Sequence, residues 1–199
     1  MTTAELTWSL GDGAQARPFE PDESGAIFDL VLANREHLDR WLLWSNSIQA
    51  ESDAAATIAK YVTRRDAGLG FNCGIWVGDR LAGGIVCRDL NPEDRNAEIG
   101  YWLGSEFTGR GLATAAATMA TDYLIRIRDM HRVTMHCAGD NVRSRAIPER
   151  LGYTLDGILR ESNSLNGQFY DQAVYSVLAR EWPHPRQFAQ ERAIPIRTA

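Results

Sequence analysis

A chain of 199 residues has room for one domain with a real core and too little for two comfortable ones. Its 26 acidic residues outnumber 21 basic ones, for a net charge of −5. With no basic block, that balance makes the chain a poor candidate for non-specific nucleic-acid binding, which rests on Lys and Arg neutralising phosphates, and none is expected.

Leu6 to Leu10 and Arg17-Pro18-Phe19 read as a first strand pair across the Gly11-Asp12-Gly13 turn. Ile27, Leu30, Val31 and Leu38 recur at roughly helical spacing and predict a helical stretch from about Asp22. The dense cluster Trp41-Leu42-Leu43-Trp44 follows it. Ser52 and Asp53 open a second helix, through Ile58, Tyr61 and Val62, that stops near Gly68.

From Phe71 the pattern changes to strands. Phe71 to Val77 and Leu81 to Arg88 flank Gly78-Asp79-Arg80, a hairpin signal. Asn91 to Arg95 is a polar loop before a strand from Ala97 to Leu103. A glycine-containing loop, Phe107 to Gly111, leads into an Ala/Thr/Leu-rich helix from Leu112 to about Arg128. Arg132 to Cys137 reads as a strand and Asn141 to Arg150 as a short helix. Tyr153 to Arg160 and Phe169 to Ala179 form a last strand pair around Asn166-Gly167. This order predicts an α/β protein with a mixed, mostly antiparallel central sheet of about seven strands and one strand-helix-strand crossover. A single domain over residues 1–182 is expected, followed by an irregular arm over 183–199, where Pro183, Pro185 and Pro195 lie.

The junction at Phe107 to Thr114 carries the strongest chemical signal. A strand enters a loop that immediately starts a helix, where free backbone N–H groups and the helix dipole favour an anion. Gly109 and Gly111 remove side chains where a pyrophosphate approaches, and Arg110 adds a charge at the rim. By itself, Gly-x-Gly at a helix start is equally a tight turn. Two neighbours strengthen the functional reading: the strand holding Glu98, and Asp140-Asn141-x-x-Ser144 running on to Arg150-Leu151-Gly152-Tyr153.

Together, Glu98 to Thr114 and Asn141 to Tyr153 resemble the acetyl-CoA-binding core of the GNAT superfamily of N-acetyltransferases. The family's phosphate-loop pattern is Gln or Arg, two residues, Gly, one residue, then Gly or Ala. Thr108-Gly109-Arg110-Gly111-Leu112-Ala113 matches it except that Thr108 replaces the long polar residue. The early segment Asn34-Arg35-Glu36-His37-Leu38-x-x-Trp41-Leu42-x-Trp44 looks like the RimL-like branch, the ribosomal-protein N-terminal acetyltransferases. So do Leu159-Arg160-Glu161, Asn166-Gly167-x-x-x-Asp171 and Tyr175-Ser176-x-Leu178.

That resemblance implies a GNAT fold, its sheet flanked by helices and splayed between two strands at the acetyl-CoA site. It implies direct transfer of acetyl from acetyl-CoA to a primary amine in a ternary complex. Glu98 is then the expected general base and Ser144 the expected proton donor to the departing thiolate, with Tyr101 and Tyr153 as alternatives. Leu103, Thr108, Gly109, Arg110, Gly111, Leu112, Ala113, Thr114 and Asn141 are the expected cofactor-binding positions. Asn141 equally suits a helix cap. Trp41, Trp44, Glu161 and Tyr170 are candidates to seat the acceptor, since aromatic and acidic groups together suit a cationic amine. The acceptor expected of this branch is a ribosomal-protein N-terminus; a small amine and a non-catalytic acyl-CoA-binding module remain open. A longer acyl donor and a homodimer are compatible with the resemblance.

Cys73, Cys87 and Cys137 form no C-x-x-C pair and read as buried thiols in a reducing cytoplasm. Cys137 is a weak candidate for a nucleophile, because its neighbour His136 faces the other way in a strand. His37, His131, His136 and His184 show no ligand spacing, so no metal is expected. Met1 to Leu10 lacks the features of a secretory signal, and no apolar run reaches the length of a membrane span.

Overall fold

A computed structural model describes residues 1–165 and 167–183. Asn166 of the expected last turn and residues 184–199 of the expected arm lie outside the described residues. The sheet has eight strands because the first hairpin contributes two, β1 (Trp8–Gly11) and β2 (Ala14–Pro18). They are followed by β3 (Phe71–Val77), β4 (Arg80–Asn91), β5 (Asn96–Leu103), β6 (Arg132–Ala138), β7 (Thr154–Leu165) and β8 (Gln168–Leu178). Their order across the sheet is β1-β2-β3-β4-β5-β6-β8-β7. Among the described residues only β5 and β6 run parallel, the expected crossover, and its helix is α4 (Leu112–Arg126).

The register defines two faces. Phe71, Cys87, Ile99, Met135 and Tyr175 are successive Cα partners across β3, β4, β5, β6 and β8, and all are buried. Paired residues point to one side of a sheet, so this row marks a single face. Phe71 packs edge-on against Trp8 and against Tyr123 of α4, which places α4 on that face. The short helix α5 (Val142–Arg150) lies there too, because its Arg145 and Glu149 hydrogen-bond the Tyr175 hydroxyl. On the opposite face Trp76 packs against Phe19, which in turn meets Tyr61 of α3 (Glu51–Asp66). Helix α1 (Ser24–Ala33) packs on α3. It is followed by α2 (Arg35–Asp39) and a 3₁₀ turn over Leu43–Ser47. The sequence read one helical stretch here; Asn34 interrupts it.

Asn34 ties the two layers together. Buried at 7% exposure, its Oδ1 accepts from the Ser105 amide at 2.8 Å and the Ser105 hydroxyl at 2.7 Å. Its Nδ2 donates to the Leu30 carbonyl at 3.0 Å. The end of α1 is thereby fastened to the loop that launches α4. Asn34→Ala leaves a partly buried amide without its acceptor, so we expect a loss of about 1–3 kcal/mol in urea unfolding. An unchanged midpoint would remove this clamp from the account of the loop.

Candidate active site

The parallel pairing of β5 with β6 runs only from Asn96↔Arg132 to Ile99↔Met135. Beyond that point β5 keeps its outer partner β4 as far as Leu103↔Gly83, and β6 keeps β8 as far as Ala138↔Gln172. Each strand stays held from outside while the two part from each other. The wedge opens into a cleft of about 2100 Å³ that reaches from the start of α4 to α2.

At one end of the cleft stands the N-terminus of α4. Gly109 and Gly111 both have φ of +78°, a left-handed conformation that glycine adopts without steric cost. Gly111 is the residue preceding the helix, and no side chain caps the helix there. The first amides of α4 therefore point outward unpaired, and a Cβ on either glycine would meet no protein atom within 4 Å. An uncapped helix start, open space and helix dipole together fit a pyrophosphate. Thr108, Gly109, Gly111, Leu112, Ala113 and Thr114 line this part of the cleft. Arg110 does not; its guanidinium lies over the Phe107 ring, 5.4 Å from the centroid. Two arginines that the sequence left unassigned, Arg143 and Arg150 on α5, do line the cleft, and Arg150 also donates to Thr114 Oγ1 at 3.0 Å.

On the α4 face of the wedge, Tyr101, Cys137 and Ser144 converge. Helix α5 is capped by Asn141, whose Oδ1 accepts from the Ser144 amide at 3.1 Å. Pro148 sits inside the helix and has no N–H, so the Ser144 carbonyl four residues earlier loses its helical donor. That carbonyl accepts instead from the Tyr101 hydroxyl at 2.8 Å. The tyrosine proton is committed there, and burial pushes its pKa well up, so it remains an O–H. Among the described residues the Ser144 hydroxyl has two contacts, both long, 3.3 Å to Tyr101 Oη and 3.3 Å to Cys137 Sγ. Of the two hydroxyls, serine's is the donor held more loosely beside the wedge. Burial pushes the Cys137 thiol up as well, which opposes a thiolate nucleophile. Tyr153, the other alternative, is buried with its hydroxyl on Thr121 at 2.6 Å.

The opposite face holds the second group. Glu98, Gly100 and Trp102 alternate along β5, with Thr134 and His136 beside them on β6. Glu98 sits within the paired stretch and does not line the cleft. Its Oε1 lies 3.4 Å from Arg88 Nε and its Oε2 3.8 Å from His136 Nδ1. A Cβ on Gly100 would stand 3.2 Å from Arg88 Nη2, so that glycine makes room for the arginine. Trp44 packs edge-on against Trp102 at 5.0 Å between centroids, and both line the cleft with Trp41. Leu103 and Asn141 line it as well.

Glu161 and Tyr170 lie farther out, on the β7–β8 arm. Between Leu159↔Gln172 and Asn163↔Tyr170, β7 holds two extra residues, and Glu161 has a left-handed φ of +49°. Its amide donates to Asp171 Oδ1 at 2.9 Å. Tyr170 donates its hydroxyl to Gln168. Neither is among the cleft residues. Among the described residues no cluster of His, Cys, Asp and Glu is arranged to hold a metal ion, and no helix is long and apolar enough to cross a membrane.

A sheet wedged open beside an uncapped helix start is the acetyl-CoA-binding architecture of an N-acetyltransferase. Residues 15–154 match the acetyltransferase (GNAT) domain family, and the chain belongs to it. YdaF of Bacillus subtilis, provisionally named a ribosomal N-acetyltransferase, is 32% identical over 178 residues, 89% of this chain and 97% of that protein. The ribosomal-protein-serine acetyltransferase of Escherichia coli is 27% identical over 150 residues, 75% of this chain and 84% of that one. Among solved structures, the microcin C7 self-immunity acetyltransferase MccE, in complex with acetyl-CoA and AMP, is 25% identical. It superposes with a TM-score of 0.81 over 88% of this chain and 99% of its own. The protein is an acetyl-CoA-dependent N-acetyltransferase.

Two substitutions test this geometry. Gly111→Val places a branched side chain in a left-handed conformation, at a cost of about 1–2 kcal/mol, and projects it toward the phosphate site. Calorimetry should show acetyl-CoA affinity reduced about tenfold or more, the equivalent of 1.4 kcal/mol; full affinity in the folded variant would misplace the phosphate loop. Tyr101→Phe leaves the Ser144 carbonyl without a donor. It should lower unfolding stability by about 1 kcal/mol and reduce kcat, because Ser144 loses its anchor.

Proposed function

We propose that the acceptor is the N-terminal α-amine of a protein, of the ribosomal-protein type. The observation that carries this reading is the open cleft of about 2100 Å³, walled on the acceptor face by Trp41, Trp44 and Trp102. Such a cleft has room for the end of a chain rather than one small molecule alone. The names of the Bacillus and Escherichia relatives support the same acceptor. The reading treats residues 1–182 as one catalytic domain.

In the proposed mechanism the backbone at the head of α4 holds the pyrophosphate of acetyl-CoA, and the unpaired edge of β5 from Gly100 to Leu103 guides its arm through the sheet. Acetyl-CoA supplies the activated thioester. Ser144 protonates the departing sulfur from the α4 face. The amine enters from the opposite face, between the tryptophans, and its proton leaves toward the Glu98 end of the wedge. Glu161 and Tyr170 contact the parts of the acceptor that extend along the β7–β8 arm. A non-glycine residue held in left-handed geometry, as Glu161 is, is often found at a recognition site.

A small-amine acceptor is the second reading, favoured by the similarity to MccE, whose structure contains AMP. Thiol release from acetyl-CoA is to be measured with peptides beginning in Ser or Ala, polyamines, aminoglycosides and aminoacyl nucleotides. Selective turnover of the peptides is the expected result; selective turnover of a small amine replaces it. With the preferred acceptor, Ser144→Ala should reduce kcat about a hundredfold and leave the KM for acetyl-CoA nearly unchanged. A wild-type kcat would give the donor role to another group.

A further inference from the structure

Glu98 stands at the base of the wedge and does not line the cleft. Its Cα partner on β6 is Thr134, inside the stretch where β5 and β6 are still paired. The side chain is 17% exposed and engaged by Arg88 at 3.4 Å. His136 is placed differently. It is the first residue of β6 beyond the last pair, Ile99↔Met135, and it shares the face of Glu98. It lines the cleft, is 26% exposed, and turns Nδ1 toward Glu98 Oε2 at 3.8 Å. With Nδ1 on the carboxylate side, Nε2 is left for the cleft. Ser144 and Cys137 lie on the other face of the sheet, so the two ends of the reaction are served from opposite sides.

We infer that His136 is the catalytic base of the acetyl transfer and that Glu98 is its positioning residue. As a class, imidazoles exchange protons near neutral pH, which suits the removal of a proton from an ammonium group at working pH. The balance is as follows. The ammonium proton passes to His136 Nε2, and the nitrogen lone pair forms the C–N bond to the acetyl carbon. The C–S bond breaks with its electron pair on sulfur, and the sulfur takes the proton of Ser144, which solvent restores. His136 returns that proton to water and takes the second proton from the nitrogen, which is cationic once bonded to the acetyl carbon; a neutral amide and the CoA thiol result, and the net proton goes to solvent. The charged groups beside His136 on this face are Glu98, 3.8 Å from Nδ1, and Arg88, which reaches the same carboxylate. From β8 the partner of His136 is Val174, which carries no charge. The remaining ionisable groups facing the cleft from the acceptor side are Glu36, His37 and Arg40. The inference rests on transfer to an amine and holds whichever amine is the acceptor.

The test is the pH dependence of kcat/KM for wild type, His136→Gln, Glu98→Gln and Arg88→Gln, using whichever acceptor the wild type turns over best. Wild-type turnover decides the acceptor; only the variant profiles decide His136. His136→Gln should lower kcat/KM about a hundredfold near neutrality, remove the acidic limb of the profile and leave acetyl-CoA affinity intact. Glu98→Gln removes a negative charge beside the ring and should move the acidic limb to lower pH, while Arg88→Gln removes a positive one and should move it to higher pH. A wild-type rate in His136→Gln would overturn the inference, and so would a slow variant that keeps the wild-type limb. If His136→Gln fails to fold, the other two variants decide: opposite shifts support the inference, and an unmoved limb in both refutes it.

Discussion

Two rows of backbone amides and carbonyls lose their strand partners where β5 and β6 separate, in the middle of a sheet that is otherwise paired. Unpaired backbone groups away from water are costly, so such a gap persists only where solvent or a bound chain satisfies it. Here the cost is contained because each strand remains laddered on its outer side, β5 to β4 and β6 to β8. The extended arm of acetyl-CoA is a suitable occupant, since it can take up a strand's polar groups. The uncapped start of α4, the group of Tyr101, Cys137 and Ser144, and the three tryptophans all stand around this opening.

Because the sheet is one layer thick at the wedge, strand alternation separates the chemistry into two faces. Tyr101 and Cys137 point to the side of α4 and α5, while Glu98, Trp102 and His136 point to the side of α1 and α3. Pro148 contributes at a distance. By withholding an amide from the Ser144 carbonyl, it lets Tyr101 bind there and leaves the serine hydroxyl as the more available donor. A helix defect thus becomes a positioning device.

Much of this was legible along the chain. The strands and helices from Phe71 to Leu178 follow the expected sequence, because period-two and helical patterns with glycine turns are local signals. The glycine-containing loop before α4 was legible for the same reason: its conformation and its open amides belong to consecutive residues at one junction. Asn141 matched the family's binding segment and also acts as the cap that its residue type suggests. The tryptophan-lined face was harder to read. Trp41 and Trp44 stood out by composition, but Arg88, Trp102 and His136 look like ordinary strand residues until β4, β5 and β6 are set side by side. Glu98 was singled out at the start of its strand, and its contacts with Arg88 and His136 were invisible.

The sequence alone determined the elements, the glycine-led start of α4, and membership of the GNAT acetyltransferases, since each depends on residues close together in the chain. Tertiary structure decided which side chains share the cleft, through a register that ends at Ile99↔Met135 and a bulge that sets Glu161 apart on the β7–β8 arm. The physical reason is that strand pairing between distant segments is a long-range choice. It depends on what each strand finds on its other edge, and no local pattern encodes where two strands cease to pair.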